Sequence, residues 1–171
     1  MENKQIAILG AGSMGGAILS GLIAAGSSPE NITASTASAA SAKALTEKFS
    51  IKAFDQETTA SANAQAVAGA DILLLAVKPA KVIETLQEVS GAVKDGVLVI
   101  SVAAGITTSA MEQAIGSKAS VIRAMPNTPS IVGHGVTGIA KGESANDAQL
   151  ATAKELFETV GQVLIVDEDN I

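Results

Sequence analysis

Residues 5–26, QIAILGAGSMGGAILSGLIAAG, constrain the chain more than any other stretch. Ile6, Ala7, Ile8 and Leu9 form a short apolar run suited to a buried strand, and Gly10, Gly12 and Gly15 follow at Gly-x-Gly-x-x-Gly spacing. Gly10 permits a tight turn, Gly12 lacks a Cβ and lets the backbone approach a pyrophosphate, and Gly15 lets the next helix lie close to the sheet. The open N–H groups and dipole of that helix can hold a dianion without a lysine. Met14, Ile18 and Leu22 make one helical stripe, Ala17, Gly21 and Ala25 lie beside it as small packing residues, and Gly26 is a C-terminal stop. The order of strand, glycine turn and helix points to a dinucleotide site; the competing reading is a glycine turn with a structural role alone.

Composition narrows the classes. A net charge of -6 over 171 residues offers no basic face for nucleic acid or an anionic membrane, so an anion site has to be local. The chain has no cysteine, which excludes disulfides, thiolate nucleophiles and thiolate metal sites. No stretch approaches the roughly 18 apolar residues of a spanning helix, and MENKQIAILG lacks a signal-peptide core, so a soluble cytoplasmic protein is expected. With no Trp or Tyr and three Phe, the core must be built from Ala, Val, Ile and Leu.

Taken in order, a second strand is expected from Ile32 to Ser35. A fold that grips the ribose hydroxyls of NAD places an Asp or Glu about 20 residues beyond the glycines. Here that place holds Thr33-Ala34-Ser35-Thr36-Ala37-Ser38, with no carboxylate. Ser35, Thr36 and Ser38 can donate hydroxyl hydrogen bonds to a 2′-phosphate, which favours NADP(H) over NAD(H). The plainer reading of the same residues is a polar loop and helix cap. No arginine supplies the usual planar fork for that phosphate.

A helix is expected from Ala39 to Phe49, a strand from Ile51 to Phe54 and a helix around Ala62 to Val67. Ile72 to Val77 is a continuous apolar run suited to a central parallel strand, ended by Lys78-Pro79, with Pro79 opening a helix over Ala80 to Val89. Val77, Lys78 and Pro79 then fall on the side of the glycine loop, where ligands of open α/β sheets lie. A strand from Val97 to Val102 ends in the small residues Ala103-Ala104-Gly105, which leave room for something bulky. A helix over Thr108 to Ile115 leads to a strand from Ser120 to Ala124.

Beyond that strand, Met125-Pro126-Asn127-Thr128-Pro129 makes a stiff loop, because each proline forces its predecessor to be extended. Asn127 and Thr128 are candidates to face an active site, with loop stabilisation as the alternative. Arg123 reads as a strand-end structural or salt-bridging residue, and His134, the one histidine, as structural. A strand over Val136 to Ala140, a helix from Ser144, with Asp147 three positions on, to about Val160, and a strand over Val163 to Val166 complete the chain. The alternation predicts one domain over 1–171, an α/β fold of Rossmann type: a doubly wound, mostly parallel sheet with helices on both faces, its last strands free to run antiparallel.

Four motifs, ILGAGSMG at 8–15, AVKP at 76–79, SVAAG at 101–105 and RAMPNTP at 123–129, resemble those of pyrroline-5-carboxylate reductases in order and spacing. The resemblance covers essentially the whole chain, and RAMPNTP is its most specific part. It implies an NADP(H) site lined by Leu9, Gly10, Ala11, Gly12, Ser13, Met14 and Gly15, by Ala76, Val77, Lys78 and Pro79, and by Ala103, Ala104 and Gly105. Asn63 and the hydroxyl pair Ser35 and Thr36 match further cofactor positions of that family. The implied reaction is hydride transfer from NADPH to 1-pyrroline-5-carboxylate, giving L-proline, the last step of proline biosynthesis, with no metal.

Members of that family continue into a helical C-terminal region that builds a homodimer or larger homo-oligomer and holds a substrate loop. These 171 residues stop where that region would begin, so the fragment itself is expected to bind cofactor and to lack turnover. Two other classes share the opening motif: a different NADP-dependent enzyme, such as a β-hydroxyacid dehydrogenase or a deazaflavin-dependent NADP reductase, and a non-enzymatic redox-sensing domain. RAMPNTP and the lack of a catalytic-lysine helix speak against the first.

Overall fold

The structure is a computed structural model that describes residues 3–127 and 134–171. Eight strands form one sheet: β1 (Ile6–Leu9), β2 (Ile32–Thr36), β3 (Lys52–Asp55), β4 (Ile72–Leu75), β5 (Val97–Ser101), β6 (Ala119–Met125), β7 (Gly135–Lys141) and β8 (Gly161–Ile165). Their order is β3-β2-β1-β4-β5-β6-β7-β8. The first six are mutually parallel; β7 runs antiparallel to β6 and β8 parallel to β7. The last two strands thus run against the rest, the orientation the sequence left open.

Strand alternation builds the core. Ile6, Ile8, Ile72, Leu74, Leu98, Ile100 and Ile122 point to one face, and Ala7, Leu9, Leu73, Leu75, Val97, Val99 and Val121 to the other. All residues of β1, β4 and β5 are buried, as expected of strands covered on both sides. The first face is covered by α1 (Ser13–Ala24), α2 (Ala39–Phe49) and α6 (Asp147–Glu158), the second by α3 (Ala62–Val67), α4 (Val82–Val89) and α5 (Thr108–Ile115). α1 and α6 approach closely because Gly21 has no side chain: a Cβ there would stand 2.9 Å from the Thr159 carbonyl oxygen. No helix among the described residues is long and apolar enough to cross a membrane.

Several boundaries differ from the sequence reading. β4 ends at Leu75, although the apolar run continues to Val77. Ala76 still donates to the Leu9 carbonyl at 2.8 Å, and then the chain turns away beside Gly10. Pro79 opens a 3₁₀ turn, Pro79–Lys81, before α4 begins at Val82. The cap of α6 is Asn146 with Gln149, a reciprocal capping box, and not Ser144 with Asp147. Ser144 instead binds β6, its hydroxyl accepting from the Val121 amide at 3.1 Å and its carbonyl from the Ser120 hydroxyl at 2.8 Å. β3 and β8 each lie one or two residues from the expected positions, because ladder ends are set by the neighbouring strand.

Candidate functional site

The sheet changes winding direction between β1 and β4. The helix after β1 covers one face and the helix after β4 the other, which leaves a crevice at the carboxyl ends of these strands. The glycine loop opens into it. Gly10 has φ +78°, and a Cβ there would meet the Ala76 carbonyl oxygen and Val77 Cγ1, each at 2.9 Å. At Gly15 a Cβ would meet the Gly10 carbonyl at 3.1 Å and Ala76 Cβ at 3.2 Å. Gly10 is therefore required by the fold itself, and a Cβ at Gly15 would be accommodated only if the Gly10 carbonyl or Ala76 gave way by a few tenths of an ångström.

Gly12 is different. It is exposed, its backbone (φ -83°, ψ -143°) is neither strand nor helix, and a Cβ would find nothing nearer than the Gly10 carbonyl at 4.0 Å. Among the described residues no packing contact requires glycine at this position. It is the N-cap of α1, whose amino end has no side-chain cap among those residues and no acidic residue in its first turn. Gly12 donates to the Gly10 carbonyl at 2.7 Å and accepts from the Gly16 amide at 2.8 Å, so the loop is set for the first turn of α1. The result is a cradle of backbone at the amino end of α1, with open space where a Gly12 Cβ would stand.

The other expected residues fall into three groups. Ala76 and Val77 lie against the glycine loop, and Lys78 and Pro79, which follow them, are exposed. Ala104 and Gly105 are exposed at the end of β5, two strands from β1, and Gly105 has φ +79°. Ala11 and Ser13 border the cradle, and Met14 is half-buried against the core. Leu9 and Ala103 are buried, so their side chains pack inside the sheet.

The hydroxyls at the end of β2 are all engaged within the protein. Ser35, fully buried, donates to Asn63 Oδ1; Thr36 donates to the Ser38 carbonyl at 2.8 Å; Ser38 caps α2 by accepting from the Ser41 amide. Asn63 also accepts from Gln56 Nε2 at 3.2 Å and donates to Glu88 Oε2 at 3.2 Å. Ser35 and Asn63 are thus brought together, but as a buried network and not as an array of free donors. The capping reading of Ser38 is the one observed. β2 itself carries no carboxylate, yet Asp55 at the end of β3 is the register partner of Thr36, a neighbour the linear sequence did not reveal.

Asn127 is exposed and its Oδ1 accepts from the Val136 amide at 3.1 Å, which ties the end of β6 to the start of β7. That is the loop-stabilising role. Thr128 lies outside the described residues, and His134 is exposed. Arg123 is the salt-bridging residue expected: its Nη1 lies 3.4 Å from Glu168 Oε1, and its buried Nε has no hydrogen-bond partner among the described residues. Burial pushes the Glu168 carboxyl up, but hydrogen bonds from the Thr108 hydroxyl and amide and from Arg123 outweigh it and hold the group below its ordinary value. Sequence reasoning missed Glu168, whose partners lie far back in the chain.

The chain is similar to known proteins over nearly its whole length. A pyrroline-5-carboxylate reductase of Corynebacterium melassecola is 38% identical over 169 residues, 97% of this chain and 60% of that protein. A solved pyrroline-5-carboxylate reductase from Coxiella burnetii superposes with a TM-score of 0.89 at 33% identity, over 98% of this chain and 60% of the other. The Plasmodium falciparum pyrroline carboxylate reductase, solved with NADP bound, shares the fold with a TM-score of 0.83 at 23% identity, over 99% of this chain and 60% of its own. The chain spans about 60% of the length of these relatives. A family model described as NADP oxidoreductase, coenzyme F420-dependent, matches residues 5–105, and the chain belongs to that family.

Proposed function

We propose that this chain is the cofactor-binding part of a cytoplasmic pyrroline-5-carboxylate reductase that prefers NADP(H). The observation that carries the reading is Gly12: exposed, with no packing contact that requires glycine, at the uncapped amino end of α1. Similarity to pyrroline-5-carboxylate reductases over nearly the whole chain narrows the reaction. NADPH, when bound, supplies the hydride that reduces the protonated C=N bond of 1-pyrroline-5-carboxylate, leaving L-proline and NADP⁺.

The chain's part in that reaction is binding and orientation. The backbone at Gly12, Ser13 and Met14 would hold the pyrophosphate at the helix terminus. Ala76, Val77, Lys78 and Pro79 would form the wall beside it, and Ala104 and Gly105, with their small side chains, would leave space for the second nucleotide half past β4. The network of Ser35, Asn63 and Gln56 would shape the end of β2 where the adenosine phosphate lies. An iminium substrate is already electrophilic, so no strong general acid is asked of these residues.

The remaining share of the relatives' length would supply the substrate loop and a homodimer contact. The test is to give this chain NADPH and 1-pyrroline-5-carboxylate and follow NADPH absorbance and binding in parallel. Binding with negligible turnover is expected. Rapid turnover by the chain alone would overturn the division of labour, and lack of NADPH binding would overturn the cofactor role.

A further inference from the structure

Glu168 reaches across the fold to the first turn of α5, a helix that already has a local cap. Thr107 accepts from the Ala110 amide at 3.1 Å, the usual arrangement of a threonine N-cap. The Thr108 amide, one position further on, is bound instead by Glu168 Oε1 at 2.7 Å, and the Thr108 hydroxyl donates to Glu168 Oε2 at 2.6 Å. Both carboxylate oxygens are used on one residue 60 positions earlier in the chain. Arg123 closes the group from β6.

The place of this contact gives it a consequence. α5 follows directly on Ala103-Ala104-Gly105, the segment that leaves β5 at the crevice. Apart from the packing of Ala103 and Ile106 on the core, the segment has few ties among the described residues: Val102 donates to the Leu75 carbonyl at 3.1 Å and Ala103 to Ser101 Oγ at 3.2 Å, while a Cβ at Gly105 would meet only open space. The far end of the loop is therefore anchored where Thr108 is anchored. A carboxylate at a helix amino end is also favoured by the helix dipole.

We infer that Glu168 is a positioning residue for cofactor binding: through Thr108 it sets the 103–107 loop against the half of the dinucleotide that lies past β4. This rests on the proposed cofactor role of the chain. Glu168 acts at a distance, touching neither cofactor nor substrate, and it joins the segment after β8 to the dinucleotide site.

The test compares two probes by calorimetry, NADPH and adenosine 2′,5′-bisphosphate, which carries the adenosine half alone and does not extend past β4. Measurements are made on Glu168→Gln and Glu168→Ala at a temperature where circular dichroism shows both folded. We expect Glu168→Ala to bind NADPH about tenfold more weakly than the parent while its affinity for the bisphosphate stays within about twofold, with Glu168→Gln in between. Equal weakening of both probes would reduce Glu168 to a general stability role and overturn the inference, as would unchanged NADPH affinity. Failure of the parent chain to bind either probe would instead overturn the cofactor reading on which the inference rests.

Discussion

A Cβ placed on Gly10 would stand 2.9 Å from the carbonyl oxygen of Ala76, so the turn after β1 and the exit from β4 fit together only because residue 10 is glycine. Gly12, two residues on, has no such neighbour. The two glycines therefore predict opposite phenotypes. Gly10→Ala should lower stability by more than about 1 kcal/mol, since it combines a positive φ with a backbone clash. Gly12→Ala should cost less stability than Gly10→Ala, since its Cβ meets no clash, and weaken NADPH binding by at least about tenfold. Thermal denaturation and calorimetry on both variants separate the effects; a stable Gly12→Ala that binds normally would remove the cradle.

Gly21→Ala tests the contact of α1 with α6. The new methyl would press on the Thr159 carbonyl, a backbone atom that cannot swing aside. Overpacking of this kind costs about 1–3 kcal/mol. Chemical denaturation should show that loss with a normal folded-state affinity for NADPH, because the contact lies at the far end of α1 from Gly12.

Thr36→Asp would set a second carboxylate beside Asp55, its register partner across β2 and β3. Like charges directly opposite are unfavourable, and both would face the place expected for a 2′-phosphate. NADPH affinity should fall by roughly tenfold, about 1.4 kcal/mol, with NADH affinity much less affected. An unchanged ratio would put the phosphate elsewhere.

Two carboxylates predict the acid behaviour of the fold. Asp71 is held below its ordinary value by its hydrogen bond to Lys94 and by the Gln5 amide, against the opposing effect of burial. Glu168 is held below its own by Thr108 and Arg123 despite burial. A carboxyl lowered by folding stabilises fully above its unfolded pKa, and that contribution is lost as pH falls through the folded value. The melting temperature should hold from neutral pH to about 5 and then decline through the carboxylate range below it. Asp71→Asn should make the decline shallower; a profile identical to the parent would show that Asp71 contributes none of it.

The parts legible in the sequence were those fixed by neighbours along the chain. α2 begins after the Ser38 cap and α5 after Thr107, and both occupy the expected bounds. The turn at Gly10 was legible because it follows directly on β1 and takes the positive φ, +78°, that glycine permits. The cap of α6 was misplaced because Ser144-x-x-Asp147 and Asn146-x-x-Gln149 are both capping patterns, and only β6 decides that Ser144 is used elsewhere.

The contacts that escaped the sequence reading span the fold. Glu168 meets Thr108 across 60 positions, and Asn63 meets Glu88 across 25. Asp55 becomes a neighbour of Thr36 only through the register of two parallel strands. Serine and threonine at the end of β2 suggested free donors, but a hydroxyl in a packed interior finds the nearest acceptor, here Asn63 and the Ser38 carbonyl.

The most direct measurement is a calorimetric titration of the chain with NADPH and, separately, with NADH, since it has no Trp or Tyr to report binding by fluorescence. Saturable binding of NADPH at least about tenfold tighter than NADH, a difference of about 1.4 kcal/mol, is expected. Absence of binding by either nucleotide, or NADH bound as tightly as NADPH, would contradict it.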